Sequence, residues 1–188
     1  MNTYTIKNMV CARCIKTVTG IFQQAGADIK SVKLGTVETI TTLGNDQIKI
    51  IREDLAKEGF ELLDDQKMKV IEQVKNAIIN LVHYSELDEL NINLSTHLSN
   101  KLHKDYNYLS NLFSSVESTT IEQYFILQKI EKVKELLVYD EFSLGQIAFK
   151  LGYSSVAHLS NQFKKVTGFT PSEFKKQKGH HRNHLDKL

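Results

Sequence analysis

A pattern of sixteen residues occurs twice in the C-terminal half of the chain, and this repeat restricts the fold more than any other feature. The copies are LSNLFSSVESTTIEQY, from Leu109 to Tyr124, and LSNQFKKVTGFTPSEF, from Leu159 to Phe174. The apolar positions of the two copies are Leu109, Phe113 and Val116, and Leu159, Phe163 and Val166. Because residues three and four apart share one face of an α-helix, each copy is predicted to be an amphipathic helix that buries this face.

Signals for a new helix follow both copies. Thr120 has Gln123 three residues later, and Thr170 has Glu173, which is the spacing of a capping box. Pro171 occupies the first helical position, where its missing N–H costs nothing. A further helix is therefore predicted to start after each copy.

A second short helix is predicted in front of each copy. SLGQIAFKLGYSS starts with the capping pair Ser143 and Gln146 and turns at Gly152, where a positive φ is cheap. NLSTHLSNKLHKD has the same apolar spacing, but His103 occupies the turn position where glycine is easier. Each unit is thus predicted to be a helix, a tight turn and a second helix.

Two such units in one chain indicate DNA binding, because the exposed face of the second helix fits the major groove. The alternative is an ordinary bundle of helical hairpins. No helix breaker occurs between Ile121 and Tyr139, so this spacer is predicted to be a helix about 28 Å long. It would hold two recognition helices about one turn of duplex apart, roughly 34 Å, so that one monomer reads two consecutive major-groove segments.

The distribution of charge agrees with DNA as the partner of the C-terminal end. Residues 1–65 contain 8 basic and 9 acidic side chains, residues 66–149 contain 8 and 11, and residues 150–188 contain 8 and 2. Such a basic segment favours polyanions, nucleic acid first and anionic membrane second. A solvated charged face is the alternative.

The segment IEKVKELLVYDEFSLGQIAFKLGYSSVAHLSNQFKKVTGFTPSEFKK resembles the DNA-binding region of AraC/XylS-type transcriptional regulators, and the resemblance covers about residues 68–178. It implies a DNA-binding transcription factor whose two recognition helices enter adjacent major grooves. It places two residues, Lys164 and Lys165, near phosphates. The groove-facing residues that it implies are Asn107, Ser110 and Asn111 in the first unit, and Val156, Ala157, His158 and Asn161 in the second.

Neither recognition helix contains arginine, which departs from a common pattern of this family. Asn111 and Asn161 suit adenine better than guanine, because adenine offers N7 and N6 to a side-chain amide. We therefore expect a preference for A·T pairs. The alternative for each asparagine is a solvated position on the helix.

Residues 1–64 have a different pattern from the rest of the chain. Short alternating runs and two amphipathic segments, with stops at Gly26, Gly35 and Gly59, predict the order βαββαβ. From residue 65 onward every clear pattern is helical. The predicted fold class is α+β, with a ferredoxin-like module over 1–64 and an all-α domain over 65–188.

The all-α part is predicted to begin with an apolar stripe. Its residues are Met68, Ile71, Val74, Ile78 and Leu81. A dimer-forming coiled coil is one interpretation of this stripe, and an oligomer would follow from it. The short run favours a helix that packs on the core of its own domain.

The N-terminal stretch MVCARC contains the only two cysteines of the chain, Cys11 and Cys14. Their spacing near a predicted helix start lets both sulfurs point the same way. The helix N-terminus and the charge of Arg13 favour the thiolate form. Paired thiolates select soft ions such as Cu(I), Ag(I) or Zn(II).

The segment IKNMVCARC, within a βαββαβ chain of this length, resembles the heavy-metal-associated domain of copper chaperones and metal-pumping ATPases over about residues 3–63. The resemblance implies a site for Cu(I) or another soft ion at Cys11 and Cys14. Asn8 stands where the family has glycine, and Val10 where it has threonine. Two alternatives stay open for this module: a redox pair, or a domain that keeps only the fold as a dimerisation or effector module.

Other function classes have little support in the sequence. No glycine-rich phosphate loop, nucleophile elbow or clustered carboxylate pair occurs, so no enzymatic activity is predicted. No apolar run approaches the length of a membrane span and no leader precedes the first strand, so the expected location is the cytoplasm. HHRNH, at His180 to His184, is interpreted as a polar tail rather than a metal site. The predicted function is a sequence-specific transcriptional regulator; the alternative is a metallochaperone-like protein whose helical half binds a protein partner.

Overall fold

The computed structural model describes residues 2–64, 66–85, 93–176 and 185. The chain forms two compact units, Met1–Asn76 and Ala77–Leu188. The histidine-rich stretch at 180–184 lies outside the described residues. Within the described ranges, no helix has both the length and the apolar character needed to cross a membrane.

The first unit contains a small antiparallel sheet with strand order β2-β3-β1-β4. Its elements are β1 (Asn2–Lys7), α1 (Ala12–Gln24), β2 (Ile29–Lys33), β3 (Thr36–Thr39), α2 (Asn45–Lys57) and β4 (Glu61–Leu63). β1 pairs with both β3 and β4, and Tyr4 lies opposite Val37. The order βαββαβ predicted from the sequence is therefore present over residues 2–63.

The core of this unit lies between the sheet and its two helices. α1 contributes Val18 and Phe22, and α2 contributes Ile51 and Leu55, all of them fully buried. Because these pairs are spaced four residues apart, each helix turns one apolar stripe toward the sheet. β3 ends at Thr39, and the side chain of the next residue, Ile40, is 66% exposed.

The turn between β2 and β3 requires glycine for two reasons. Gly35 has φ +77°, which side chains with a Cβ rarely adopt. A Cβ at this position would also lie 2.2 Å from Nδ2 of Asn76. The turn and the helix that carries Asn76 therefore approach each other closely.

That helix, α3, spans Gln66–Ile79 and continues as a π-helical turn, Asn80–Tyr84. Most of the predicted apolar stripe is buried, including Ile71, Val74 and Ile78, while Met68 is half-buried. The wider π-helical turn was not predicted, because the 3.6-residue pattern continues through Leu81.

The regular elements in the described residues of the second unit are all helices. Its further elements are α4 (Leu94–Leu102), α5 (Tyr106–Glu117), α6 (Ile121–Tyr139), α7 (Leu144–Lys150), α8 (Val156–Thr167) and α9 (Pro171–Lys176). α4 and α5 form one closely linked helix pair, and α7 and α8 form another. α6 packs against α5, α7, α8 and α9.

The sequence repeat is also a repeat of side-chain packing. The ring of Phe113 lies 5.7 Å from that of Tyr124, and the ring of Phe163 lies 5.5 Å from that of Phe174. These are equivalent positions of the two copies. One predicted core residue differs: Val116 is 42% exposed, because it lies in the last turn of α5, just before the chain turns away at Ser118 with φ +53°.

Candidate nucleic-acid interface and thiol site

The second helix pair is held by caps at both helix starts. At the start of α7, Ser143 N donates to Oε1 of Gln146 (2.8 Å) and Gln146 N donates to Oγ of Ser143 (3.3 Å), which completes the predicted capping box. The chain then turns at Gly152 with φ +64°. Ser155 caps α8, since its Oγ accepts from the backbone N of His158 at 3.1 Å.

α8 separates a buried face from an exposed face. Leu159 and Phe163 are fully buried and anchor the helix to the core. The residues predicted to face DNA on this helix are all exposed: Val156, Ala157, His158, Asn161, Lys164 and Lys165. The structure therefore brings the predicted residues of the second helix pair together on one accessible surface.

Two contacts to His158 were not predicted from the sequence. Its Nδ1 lies 3.1 Å from Oγ of Ser154, and its ring meets the ring of Tyr153 edge to face at 5.4 Å. Both partners lie in the turn before α8. Helical periodicity carries no information about turn residues, so the sequence pattern did not indicate this contact between rings five residues apart.

The first helix pair is capped in a similar way, but its second helix carries fewer groups that could bind DNA. Asp105 caps α5, because its Oδ1 accepts from Tyr108 N at 3.1 Å. Asn107 and Asn111 are exposed and Ser110 is half-buried. α5 itself contains no basic residue, so it offers hydrogen bonds but no positive charge.

The turn of the first pair occurs at His103, as the sequence predicted. His103 has φ +52° and ψ +44°, in the left-handed region, where glycine is the cheapest residue. In the second pair the residue with positive φ is Gly152, which lies three residues before the N-cap of α8, whereas His103 lies two residues before the N-cap of α5. Both turns therefore contain a residue with positive φ, but only the second has glycine there.

α6 runs from Ile121 to Tyr139, the limits predicted from the sequence. Thr120 caps its start, since Oγ1 accepts from Gln123 N at 3.1 Å. At 1.5 Å per residue its length is about 28 Å. The helix also buries charged residues, among them Glu131 and Lys134, whose side chains pair at 2.6 Å.

The two cysteines meet at the start of α1. Cys11 is the N-cap residue and Cys14 lies in the first turn, and their sulfur atoms are 3.2 Å apart. Burial raises the pKa of Cys11, but hydrogen bonds from Cys14 and Arg13 outweigh it and leave the pKa below its usual value. Burial raises the pKa of Cys14. Cys11 is therefore the more acidic thiol, and Cys14 keeps its proton to a higher pH.

The loop before Cys11 is anchored on two sides. Asn8 has φ +70°, a conformation that asparagine tolerates better than most residues with a side chain. Its Nδ2 donates to the carbonyl of Gly59 (2.9 Å), and its backbone N donates to Oε1 of Glu72 (3.3 Å). Met9 is fully buried. Asparagine thus adopts the backbone conformation for which glycine would be the usual choice.

Additional metal ligands are absent from the described part of the chain. No group of three or more His, Cys, Asp or Glu side chains there is arranged to hold an ion. Two thiolates are too few for a structural zinc site, which uses four ligands, but they suit a soft ion of low coordination number.

The family match concerns the helical part of the chain. Residues 98–177 match the family model described as a helix-turn-helix domain. The chain is similar to the uncharacterized HTH-type transcriptional regulator YtdP of Bacillus subtilis (strain 168), with 27% identity over 105 residues. It is also similar to the uncharacterized transcriptional regulatory protein YesN of the same organism, with 30% identity over 96 residues. These alignments cover 56% and 50% of this chain, but only 13% and 26% of the two regulators.

The chain also has a similarity to a solved structure. The C-terminal domain of AraT, a response regulator from Geobacillus stearothermophilus, is similar at 22% sequence identity with a TM-score of 0.49. The similarity covers 64% of this chain and 99% of that domain. The family match over residues 98–177 therefore assigns a helix-turn-helix domain to the C-terminal part of the chain.

Proposed function

We propose that this chain is a sequence-specific DNA-binding transcriptional regulator in which α8 and α5 enter adjacent major-groove segments. The observation that carries the proposal is the surface of α8. Its two lysines, His158 and Asn161 are exposed, while Leu159 and Phe163 fix the opposite face to the core. A capped, anchored helix with such a face has the form that reads base edges.

The second helix pair supplies most of the attraction to phosphate. Lys164 and Lys165 lie in the last turn of α8 and are exposed. Because α5 has no basic residue, the first pair contributes chiefly through Asn107, Ser110 and Asn111. The α6 helix, about 28 Å long, suits recognition elements about one duplex turn apart, roughly 34 Å.

Selection from random DNA tests this proposal. The purified full chain is incubated with a library of random duplexes, and bound DNA is recovered over several rounds. We expect two conserved segments about one helical turn apart and an affinity that falls as salt rises. Binding that shows no sequence preference, or no binding at all, would refute the assignment.

A second function is favoured by the thiol site. We propose that residues 1–64 form a ferredoxin-like, heavy-metal-associated-like module that binds one Cu(I) or a similar soft ion. The sulfur atoms of Cys11 and Cys14 already lie within contact distance, and the pKa of Cys11 is lowered. Cys11 and Cys14 would hold the ion, and Asn8 and Met9 would fix the loop beneath it. Residues 65–188 would then be the DNA-binding domain that responds to the ion.

A further inference from the structure

Lys129 is a buried cation in the middle of α6. The residue is only 8% exposed, yet its side chain forms no ion pair with a carboxylate among the described residues. Instead its Nζ lies 3.9 Å from the centroid of the Tyr153 ring and 5.4 Å from that of Phe125. An ammonium at this position is attracted by the electron-rich face of the ring, and more strongly when water is excluded.

Tyr153 interacts through its ring rather than through its hydroxyl. The residue is 7% exposed, and its hydroxyl oxygen is buried with no hydrogen-bond partner among the described residues. The ring contacts Lys129 and also meets His158 edge to face, with an angle of 85° between the two planes. A continuous set of contacts therefore leads from α6 through the turn to the start of α8.

His158 is the exposed end of this set. Oγ of Ser154 lies 3.1 Å from Nδ1, so Nε2 is the ring nitrogen left for an external partner. As a donor, Nε2 would bind O6 or N7 of guanine or O4 of thymine; as an acceptor, it would bind an amino group of adenine or cytosine. In either state, base selection requires the ring to keep one orientation.

We infer that Lys129 is a positioning residue for sequence readout, which holds Tyr153 so that Tyr153 and Ser154 fix the ring of His158 toward the major groove. The inference rests on the proposed DNA-binding function. Lys129 has no direct contact with DNA in this scheme. Its effect is confined to the base pair that His158 reads, whereas the loss of a purely structural residue would weaken binding to every sequence.

The test uses the duplex that the wild-type full chain enriches from a random library, together with a set of duplexes in which each base pair is substituted in turn. His158→Ala identifies the base pair that depends on the histidine. We expect Lys129→Met to lower selectivity at that same base pair roughly tenfold while selectivity elsewhere is retained. Lys129→Arg restores the cation over the ring and should restore selectivity. The double variant of Lys129→Met and His158→Ala should lose no more than His158→Ala alone.

Lys132→Met is the matched control, because it removes the same charge from the same helix at a lysine that pairs with Glu135. It should keep the base preference. If Lys129→Met does not fold, Tyr153→Phe and Tyr153→Leu supply the same comparison: the variant that keeps the ring retains selectivity and the other loses it. A wild-type chain that enriches no sequence overturns both this inference and the proposed function. A selective wild type whose Lys129→Met variant is unchanged, or weakened equally on all sequences, overturns the positioning role alone.

Discussion

Asn161 and Lys164 lie about one turn apart on the exposed face of α8, but DNA offers them different partners. A side-chain amide can pair with N6 and N7 of adenine, whereas an ammonium binds phosphate without regard to sequence. We expect Asn161→Ala to weaken binding to the selected duplex by about 1–3 kcal/mol and to leave affinity for random DNA nearly unchanged. Lys164→Ala serves as the contrast and should weaken both, with a salt slope smaller by about one. Titrations of both duplexes at several salt concentrations measure these effects, and equal losses for Asn161→Ala would exclude base reading.

The buried Lys129 should make the protein more stable as pH rises above neutrality. Burial lowers its pKa from 10.5 to about 8. Because the unfolded chain keeps this proton up to a higher pH, the free energy of unfolding should rise as pH increases through this window. The gain from this one group between pH 7 and 9.5 is roughly 2 kcal/mol.

Denaturant unfolding of wild type and Lys129→Met at both pH values measures this contribution, since groups common to both proteins cancel in the difference. The wild type should gain stability relative to the variant at high pH. A parallel pH dependence in the two proteins would show that Lys129 titrates at its ordinary value.

At the scale of elements, the two helix pairs allow a matched comparison of their turns. His103 and Gly152 both have a positive φ, of 52° and 64°. Since a Cβ is unfavourable in this region, His103→Gly should stabilise the fold by roughly 0.5–1 kcal/mol, and Gly152→Ala should destabilise it by at least as much. Thermal unfolding of the two variants gives the comparison. A loss of stability in His103→Gly would mean that the histidine makes contacts worth more than the backbone strain.

Much of the element-level structure followed from local patterns. The limits of α6 and the caps at Ser143 and Thr170 were predictable because each depends on residues three or four apart in the sequence. The exposure of Val116 was not, because a period alone does not show where a helix stops packing. The contact of Tyr153 with His158 was missed for a related reason, since it depends on how a turn folds back on the helix after it.

At the scale of the whole molecule, two kinds of chemistry are present in two compact units. The thiol pair belongs to Met1–Asn76, and the exposed face of α8 belongs to Ala77–Leu188. Binding of an ion by the first unit does not by itself regulate the second. Regulation requires that the ion bind more tightly to one DNA-binding state than to another, and the coupling is then reciprocal.

Binding of Cu(I) by the thiol pair is therefore the first prediction to test, before any effect on DNA binding. The reduced full chain should take up one Cu(I), because two thiolates satisfy its preference for few, soft ligands. Competition against a Cu(I) chelator measures the affinity, and the double variant Cys11→Ser, Cys14→Ser is the control. If both proteins lose copper equally, the thiol site is not a copper site.

A redox pair would behave differently from a metal site in the same protein. Cys11, the more acidic thiol, would attack an added disulfide such as oxidised glutathione and release one glutathione thiolate. Cys14 would then displace the second glutathione and close a Cys11–Cys14 disulfide without any ion.

If Cu(I) binds, the affinity for the selected duplex is measured with and without it, in wild type and in the double serine variant. A change of fivefold or more that only the wild type shows would establish coupling of about 1 kcal/mol or more. An unchanged affinity would assign the copper site a role other than control of DNA binding.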